Sequence, residues 1–308
     1  MKAMTELIPI ICLFVIIGGS LFYSCSQEKK KETAIVLPLE AALSQAGENR
    51  VELEKVLHRY QSNPSDSLKY RAACFLIENM PSYTYYKGKL LEQYLTFFTL
   101  LQEARSKKVY PQAMVDSIRR MYGPFSLDSL QYCKDVLTVD SAYLCNNIDW
   151  AFKVWQEQPW GKNVSFADFC EYILPYRIGD ETLSYWREDI YRKYNPLLDS
   201  LRASTVLDIE DPLVAARCLC DSLRKRSRFF TTTVPQGLPH VGPEIAQSVS
   251  GSCRELSDYV VYVCRAVGIP CAIDFMPLHG GGNDGHQWVS FTDKYGTLYF
   301  QEYPDKIK

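Results

Sequence analysis

The 308-residue chain has almost no excess of one charge: 34 Lys and Arg stand against 36 Asp and Glu, a formal net charge of -2. That balance excludes a strongly basic nucleic-acid binder, and 47% apolar residues exclude disorder and collagen. Cysteine is sparse, eleven in the whole chain, and no two are spaced as CxxC. Neither a disulfide-built scaffold nor a ligand-grade metal site is expected from such usage. There is no repeat of fixed period, no Asp-rich loop of the calcium-binding type, and no Gly-Lys-Ser/Thr after the one glycine-rich stretch. Calcium and a phosphate cradle are therefore not implied, and the expectation is of no metal and no cofactor. Domains of roughly 100 to 200 residues make this length about two units, each able to bury a core.

The N-terminus differs from the rest. Lys2 precedes an apolar run from Leu7 to Tyr23, interrupted by Pro9, Gly18 and Gly19. The run falls short of the roughly 20 residues that span a bilayer, so an export signal is the first reading and a transmembrane anchor the alternative. Leu21-Phe22-Tyr23-Ser24-Cys25 resembles a bacterial lipobox, although Phe22 and Tyr23 are bulkier than is usual there. The resemblance implies cleavage before Cys25 and attachment of lipid, palmitate included, to its thiol. The polar stretch from Ser26 to Glu32 then serves as a tether. The expectation is a signal peptide over 1–24, a tether over 25–38, and a mature chain lipid-anchored to the cell envelope, outside the cytoplasm, where disulfides can form. Beyond Cys12 and Cys25 an odd number of cysteines remains, so pairing would leave one thiol over.

From Leu39 to about Tyr194 the pattern is helical, broken at Asn63-Pro64, Met80-Pro81, Gly123-Pro124 and Pro159-Trp160-Gly161. Val51, Leu53, Val56, Leu57 and Tyr60 gather on one side of an amphipathic helix, and Leu68, Ala72, Phe75, Leu76 and Asn79 repeat the spacing with Asp66 as a cap. The aromatics between Trp150 and Tyr194 read as core rather than as a binding cleft. No chemistry is visible here, and 39–205 is read as a helical domain.

The chemistry lies in 206–308. Asp211-Pro212 opens a helix as cap and first-turn proline. Ser252 and Glu255 have the spacing of a capping box, which sets Cys253 at the first position of a helix that Gly268 and Pro270 end. A thiol beside the positive helix end and Arg254 is expected to favour thiolate. Cys271 to Met276 reads as a strand. Residues 280–285 form a glycine-rich loop, and His286 to Phe291 a strand with His286, Trp288 and Ser290 on one face. Asp293 to Gly296 is a turn, and Thr297 to Tyr303 the next strand.

Gly251-Ser252-Cys253 opening a helix, Arg265 to Pro270 closing it, and His286-x-Trp288 on a strand together resemble the bacterial transglutaminase-like cysteine enzymes of papain-type fold, over residues 206–308. The resemblance implies an α+β chain: a mostly helical N-terminal region, then a papain-like core with the Cys-bearing helix packed on a small antiparallel sheet. It also implies a thiol hydrolase or acyltransferase acting on amide bonds of peptides or glycopeptides. Cys253 would be its nucleophile, His286 its general base and a carboxylate the group orienting the imidazole. Glu302 is the expected third member and Asp305 the alternative. An even sum of paired residue numbers in the last hairpin favours Glu302, and an odd sum Gln301 or Asp305. Gln247 resembles the oxyanion-hole glutamine of papain-like proteases, and Trp288 would wall the site. Two features depart from the family pattern. The arginine usual soon after Gly-Ile-Pro is absent, and the chain stops just beyond the third strand, so the expectation is either a minimal domain or a C-terminally shortened one with an unprotected sheet edge. The competing readings are an inactive lipoprotein using the same fold as a binding or structural module and, less favoured, a zinc site of Cys253, Cys264, Cys271 and His286.

Overall fold

The computed structural model describes residues 38–92, 127–225, 238–248, 251–278 and 285–308, with a few helical positions between 96 and 120. The apolar run, Cys25 and the tether lie outside the described residues, as do His279 and most of the glycine-rich loop. Among the described residues no helix is long and apolar enough to cross a membrane.

Helices α1 (Pro38–Gln45), α2 (Arg50–Gln61), α3 (Ser67–Asn79) and α4 (Ser141–Glu157) come first. They share one core, into which α2 sends Leu53, Val56, Leu57 and Tyr60, and α3 sends Ala72, Ala73, Leu76 and Ile77. Spacings of three and four residues put these side chains on one stripe. Val51, expected on that stripe, is 59% exposed. It stands two residues, or about 200°, from Leu53 around the helix. Asp66 holds the cap position of α3 without capping it. Its carboxylate instead accepts from Asn63 Nδ2 at 3.1 Å. Asn79 is exposed and donates to the Phe75 carbonyl. Between α3 and α4 lies a short antiparallel pair, β1 (Thr84–Lys87) with β2 (Gln131–Lys134), which periodicity did not announce.

The second core is assembled by α5 (Arg187–Tyr194), α6 (Pro212–Arg224), α7 (Gly242–Ser248) and α8 (Cys253–Ala266), with a sheet of β3 (Cys271–Met276), β4 (His286–Thr292) and β5 (Leu298–Gln301) in that order. Asp211 caps α6 by accepting the Leu213 N–H at 2.9 Å, with Pro212 in the first turn as expected. The helix α8 exceeds its expected apolar stripe: every residue from Glu255 to Ala266 is buried. Gly268 ends it at a φ of 76°, and a Cβ there would lie 2.7 Å from the Val154 carbonyl of α4. Only glycine meets both demands. Trp160 Nε1 adds a bond to the Val267 carbonyl at 3.0 Å, fastening the end of α8 to the turn after α4.

The segment from Ile173 to Arg187 joins the two cores with buried charge. Arg177 Nε and Nη2 each lie 2.7 Å from a carboxylate oxygen of Asp135. Arg177 Nη1 donates to the Gly179 and Glu181 carbonyls. Arg187 donates to Asn147 Oδ1 at 2.6 Å and to the carbonyls of Ile173, Leu174 and Pro175. Burial, reinforced by the neighbouring Arg265, brings its pKa down to about 9.

The sheet is antiparallel throughout, with Cys271 opposite Phe291 and Met276 opposite His286. In the last hairpin Val289 pairs with Gln301 and Thr292 with Leu298, so the paired numbers have an even sum. The connecting turn is the expected one: Asp293 Oδ1 accepts the Tyr295 and Thr297 N–H groups, and Gly296 has a φ of 83°. Strand β5 is shorter than the expected run to Tyr303. Gln301 is fully buried and donates to the Asp305 carbonyl at 2.7 Å, drawing the chain into a turn. Lys308 then exchanges backbone hydrogen bonds of 3.1 and 2.9 Å with Phe300, so the outer edge of the sheet is covered there rather than bare.

All nine described cysteines are free thiols. Replacing Asp135 with Ala is expected to cost about 3–5 kcal/mol, because the buried Arg177 would lose its bidentate partner and keep only backbone carbonyls and the Glu181 carboxylate, which stands 4.0 Å away. Urea denaturation of Asp135→Ala checks this, and the double variant Asp135→Leu/Arg177→Met should recover much of the loss.

Candidate active site

The N-terminal end of α8 is built as the sequence implies. Ser252 Oγ accepts the Arg254 N–H at 3.3 Å, while the Glu255 carboxylate accepts the Ser252 N–H at 2.9 Å and its hydroxyl at 2.6 Å. This capping box fixes Cys253 at the first helical position with its side chain half-buried. A Cβ on Gly251 would meet the Glu255 side chain at 2.6 Å, so the approach to the cap is closed to larger residues. Arg254 is turned along the helix: Nε reaches Glu255 Oε1 at 3.2 Å and Nη1 the Leu238 carbonyl at 2.7 Å.

Strand β4 packs on α8 and begins at His286. Gln287, Val289 and Phe291 are buried, and Gln287 Nε2 donates to Asp258 Oδ1 of α8 at 3.1 Å. His286 and Trp288 are half-buried neighbours on the alternate face, with ring centroids 5.7 Å apart. The even register puts Glu302 on that same face, and its Oε1 stands 3.8 Å from His286 Nε2. Asp305 is turned elsewhere, its carboxylate 3.7 Å from Lys308 Nζ. Gln247 lies near the end of α7 and accepts from Lys193 Nζ at 3.1 Å. The structure thus brings His286, Trp288 and Glu302 together on the sheet and carries Cys253 on the helix packed against that sheet. Among the described residues no group of His, Cys, Asp and Glu is arranged to hold a metal ion.

A second histidine, His240, stands beside α8. His240 Nδ1 and Asp258 Oδ2 are 2.7 Å apart, with Asp258 only 1% exposed. Burial works against the imidazolium, but Asp258 outweighs it by charge and hydrogen bond, with help from Glu181, and raises the His240 pKa to about 9. Asp258 itself is pushed above the usual carboxylate range, burial exceeding the relief from His240. Glu181 shows the opposite balance. Burial opposes its ionisation, yet Arg177, His240 and the Tyr262 hydroxyl at 2.6 Å hold its pKa below the ordinary value. One signal could have exposed this network: Asp258 interrupts an otherwise apolar stretch of α8, and a buried carboxylate requires a donor.

The His240 pKa sits above the roughly 6.5 of an unfolded histidine. Its contribution to stability is therefore complete below about pH 6.5 and lost as pH rises through about 9. Wild type is expected to lose roughly 1–3 kcal/mol more than His240→Gln across that window, read from urea midpoints at each pH. Removing the cap in Ser252→Ala should cost about 1 kcal/mol at all pH values, measured in the same way.

Comparison with known proteins gives one family match. Residues 199–301 match the sequence model of the transglutaminase-like superfamily. No curated protein and no solved structure gives a significant match. The matched segment runs from just before α6 through the Cys253 helix and all three strands to Gln301, and on that ground the chain is an α+β protein carrying a transglutaminase-like domain.

Proposed function

We propose that the protein is an extracytoplasmic thiol hydrolase or acyltransferase acting on amide bonds of peptides or glycopeptides, tethered to the membrane by lipid on Cys25. The observation that carries the reading is the joint placement of two elements inside a transglutaminase-like domain. A capped helix begins at Cys253, and the strand packed on it begins at His286 with Glu302 on the same face. The export and lipid anchor are supported by the apolar run and the lipobox-like Leu21 to Cys25. Nearly balanced charge supports no nucleic-acid partner.

In this reading Cys253 Sγ, as thiolate, attacks the carbonyl carbon of the amide, and the π pair moves onto oxygen. The helix N-terminus offers backbone N–H groups to that oxyanion, and Gln247 is the side chain proposed to join them. Collapse expels the amine, which takes its proton from His286, and leaves a thioester on Cys253. Water or a second amine then attacks the thioester while His286 accepts its proton, and the thiolate is regenerated. Glu302 steadies the imidazolium through Nε2, and Trp288 walls the imidazole on the strand. A second reading, a binding module without turnover, is favoured by one observation: the Glu302 carboxylate is about half exposed and 3.8 Å from His286, beyond hydrogen-bond reach.

Alkylation of Cys253 by iodoacetamide, followed across pH by peptide mass spectrometry, separates the two. The expected result is rapid labelling at pH 7, slowed about tenfold or more in His286→Ala and a few-fold in Glu302→Gln. Equal, slow labelling in all three proteins would establish the binding module instead.

A further inference from the structure

A cavity of about 550 Å³ opens between α8 and the segment 171–180, with Tyr83, Glu171, Asp180, His240, Arg254 and Arg265 among its walls. Its charges are unequally matched. Arg177, which also borders it, is consumed by Asp135 and by backbone carbonyls. Arg254 has Glu255 on Nε and the Leu238 carbonyl on Nη1, and its Nη2 has no bond among the described residues. Arg265 is 8% exposed, and among the described residues its side-chain bonds go to the carbonyls of Tyr172, at 3.2 Å, and Arg177, at 3.0 Å. Among the described residues it forms no ion pair. A buried guanidinium without an anion is costly, and a planar carboxylate is the partner its fork matches best.

The opposite wall is shaped for the same purpose. The His240 ring lies against Gly179, where a Cβ would come within 2.5 Å of Nε2 and 2.2 Å of Cδ2. Glycine at 179 therefore lets the imidazole reach the cavity while Nδ1 remains on Asp258. Glu171 and Asp180 set an upper limit on the charge the cavity accepts, since they would repel a doubly charged phosphate more than a singly charged carboxylate. Arg254, the residue after Cys253 in α8, and Arg265, about three turns further along the same helix, both line the cavity.

We propose that this cavity binds one carboxylate of a peptide through Arg254, Arg265 and His240, which makes acidic peptides the substrate class. That such a peptide is also turned over rests on Cys253 acting as a nucleophile. The carboxylate is either an acidic side chain or a chain terminus, and three peptides distinguish them: acetyl-Ala-Glu-Ala-amide, acetyl-Ala-Ala-Ala with a free terminus, and the neutral acetyl-Ala-Gln-Ala-amide. Their binding to Cys253→Ser protein, which cannot turn them over, is measured by titration calorimetry.

One carboxylate peptide is expected to bind at least tenfold more tightly than the neutral one, with the preference removed in Arg254→Gln and in Arg265→Gln. Arg254→Gln alters a partly exposed residue outside the core, so it reports on the site even if Arg265→Gln destabilises the fold. Equal binding of the neutral peptide, no binding of any peptide, or a preference that survives Arg254→Gln would overturn the proposal. Alkylation of Cys253 reads the other question independently. An inert thiol beside a working carboxylate site would overturn the enzyme alone, and an activated thiol without carboxylate preference would overturn this inference alone.

Discussion

A helix buried on every side has no water to hydrate its polar groups, and α8 carries Glu255, Asp258, Tyr262 and Arg265 inside the protein. Each must meet its partner within the fold or forfeit the desolvation energy of a charge or hydroxyl. Glu255 is satisfied locally by the cap, whereas the other three depend on distant chain. Asp258 has His240 and Gln287, Tyr262 has Glu181, and Arg265 has the Tyr172 and Arg177 carbonyls. Three of those partners lie before residue 199, outside the segment that matches the transglutaminase-like superfamily. The helical half is thus part of the solvation of the Cys253 helix. Trp160, Trp186, Ile190 and Tyr194 extend the same dependence to the apolar core.

This arrangement explains why so much buried charge sits between the halves. Arg177 with Asp135 and Glu181, Arg187 with carbonyls, and His240 with Asp258 form a contiguous polar layer beneath α8. An apolar interface of the same volume would be no less stable, but it would tolerate sliding. Bidentate and directional bonds fit one arrangement best, and the layer reaches α8 at Asp258, Tyr262 and Arg265. The Gln287 amide is the strand's own link to that layer, one residue from His286.

The parts legible in sequence are those decided by local chemistry. Ser252 and Glu255 could be paired from their spacing, Asp211-Pro212 announced α6, and Asp293 to Gly296 announced the turn. The placement of Glu302 was reduced to the parity of a register, which the hairpin then supplied as even. What stayed hidden depends on contacts between distant segments. His240 and Asp258 are separated by 18 positions and a helix, and nothing in the local pattern joins them. The burial of α8 on all sides, the small β1–β2 pair and the early end of β5 at a buried Gln301 likewise follow from what packs against them. Val51 and Asp66 show the converse: a residue type suited to a stripe or a cap is displaced by where the helix starts and by which neighbour takes its oxygen first.

The distribution of thiols gives the molecule a record of its own integrity. Among the described cysteines, Cys133, Cys145, Cys170, Cys220, Cys264 and Cys271 are buried, and Cys74, Cys218 and Cys253 are partly open. Burial pushes Cys170 up to about 12 and raises Cys264 too, the latter further by the touching thiols of Cys220 and Cys271. Such groups neither ionise nor meet reagent while the cores are closed. The number of cysteines that react in a given interval therefore counts how far the two cores have opened, and the position of each says which opened first.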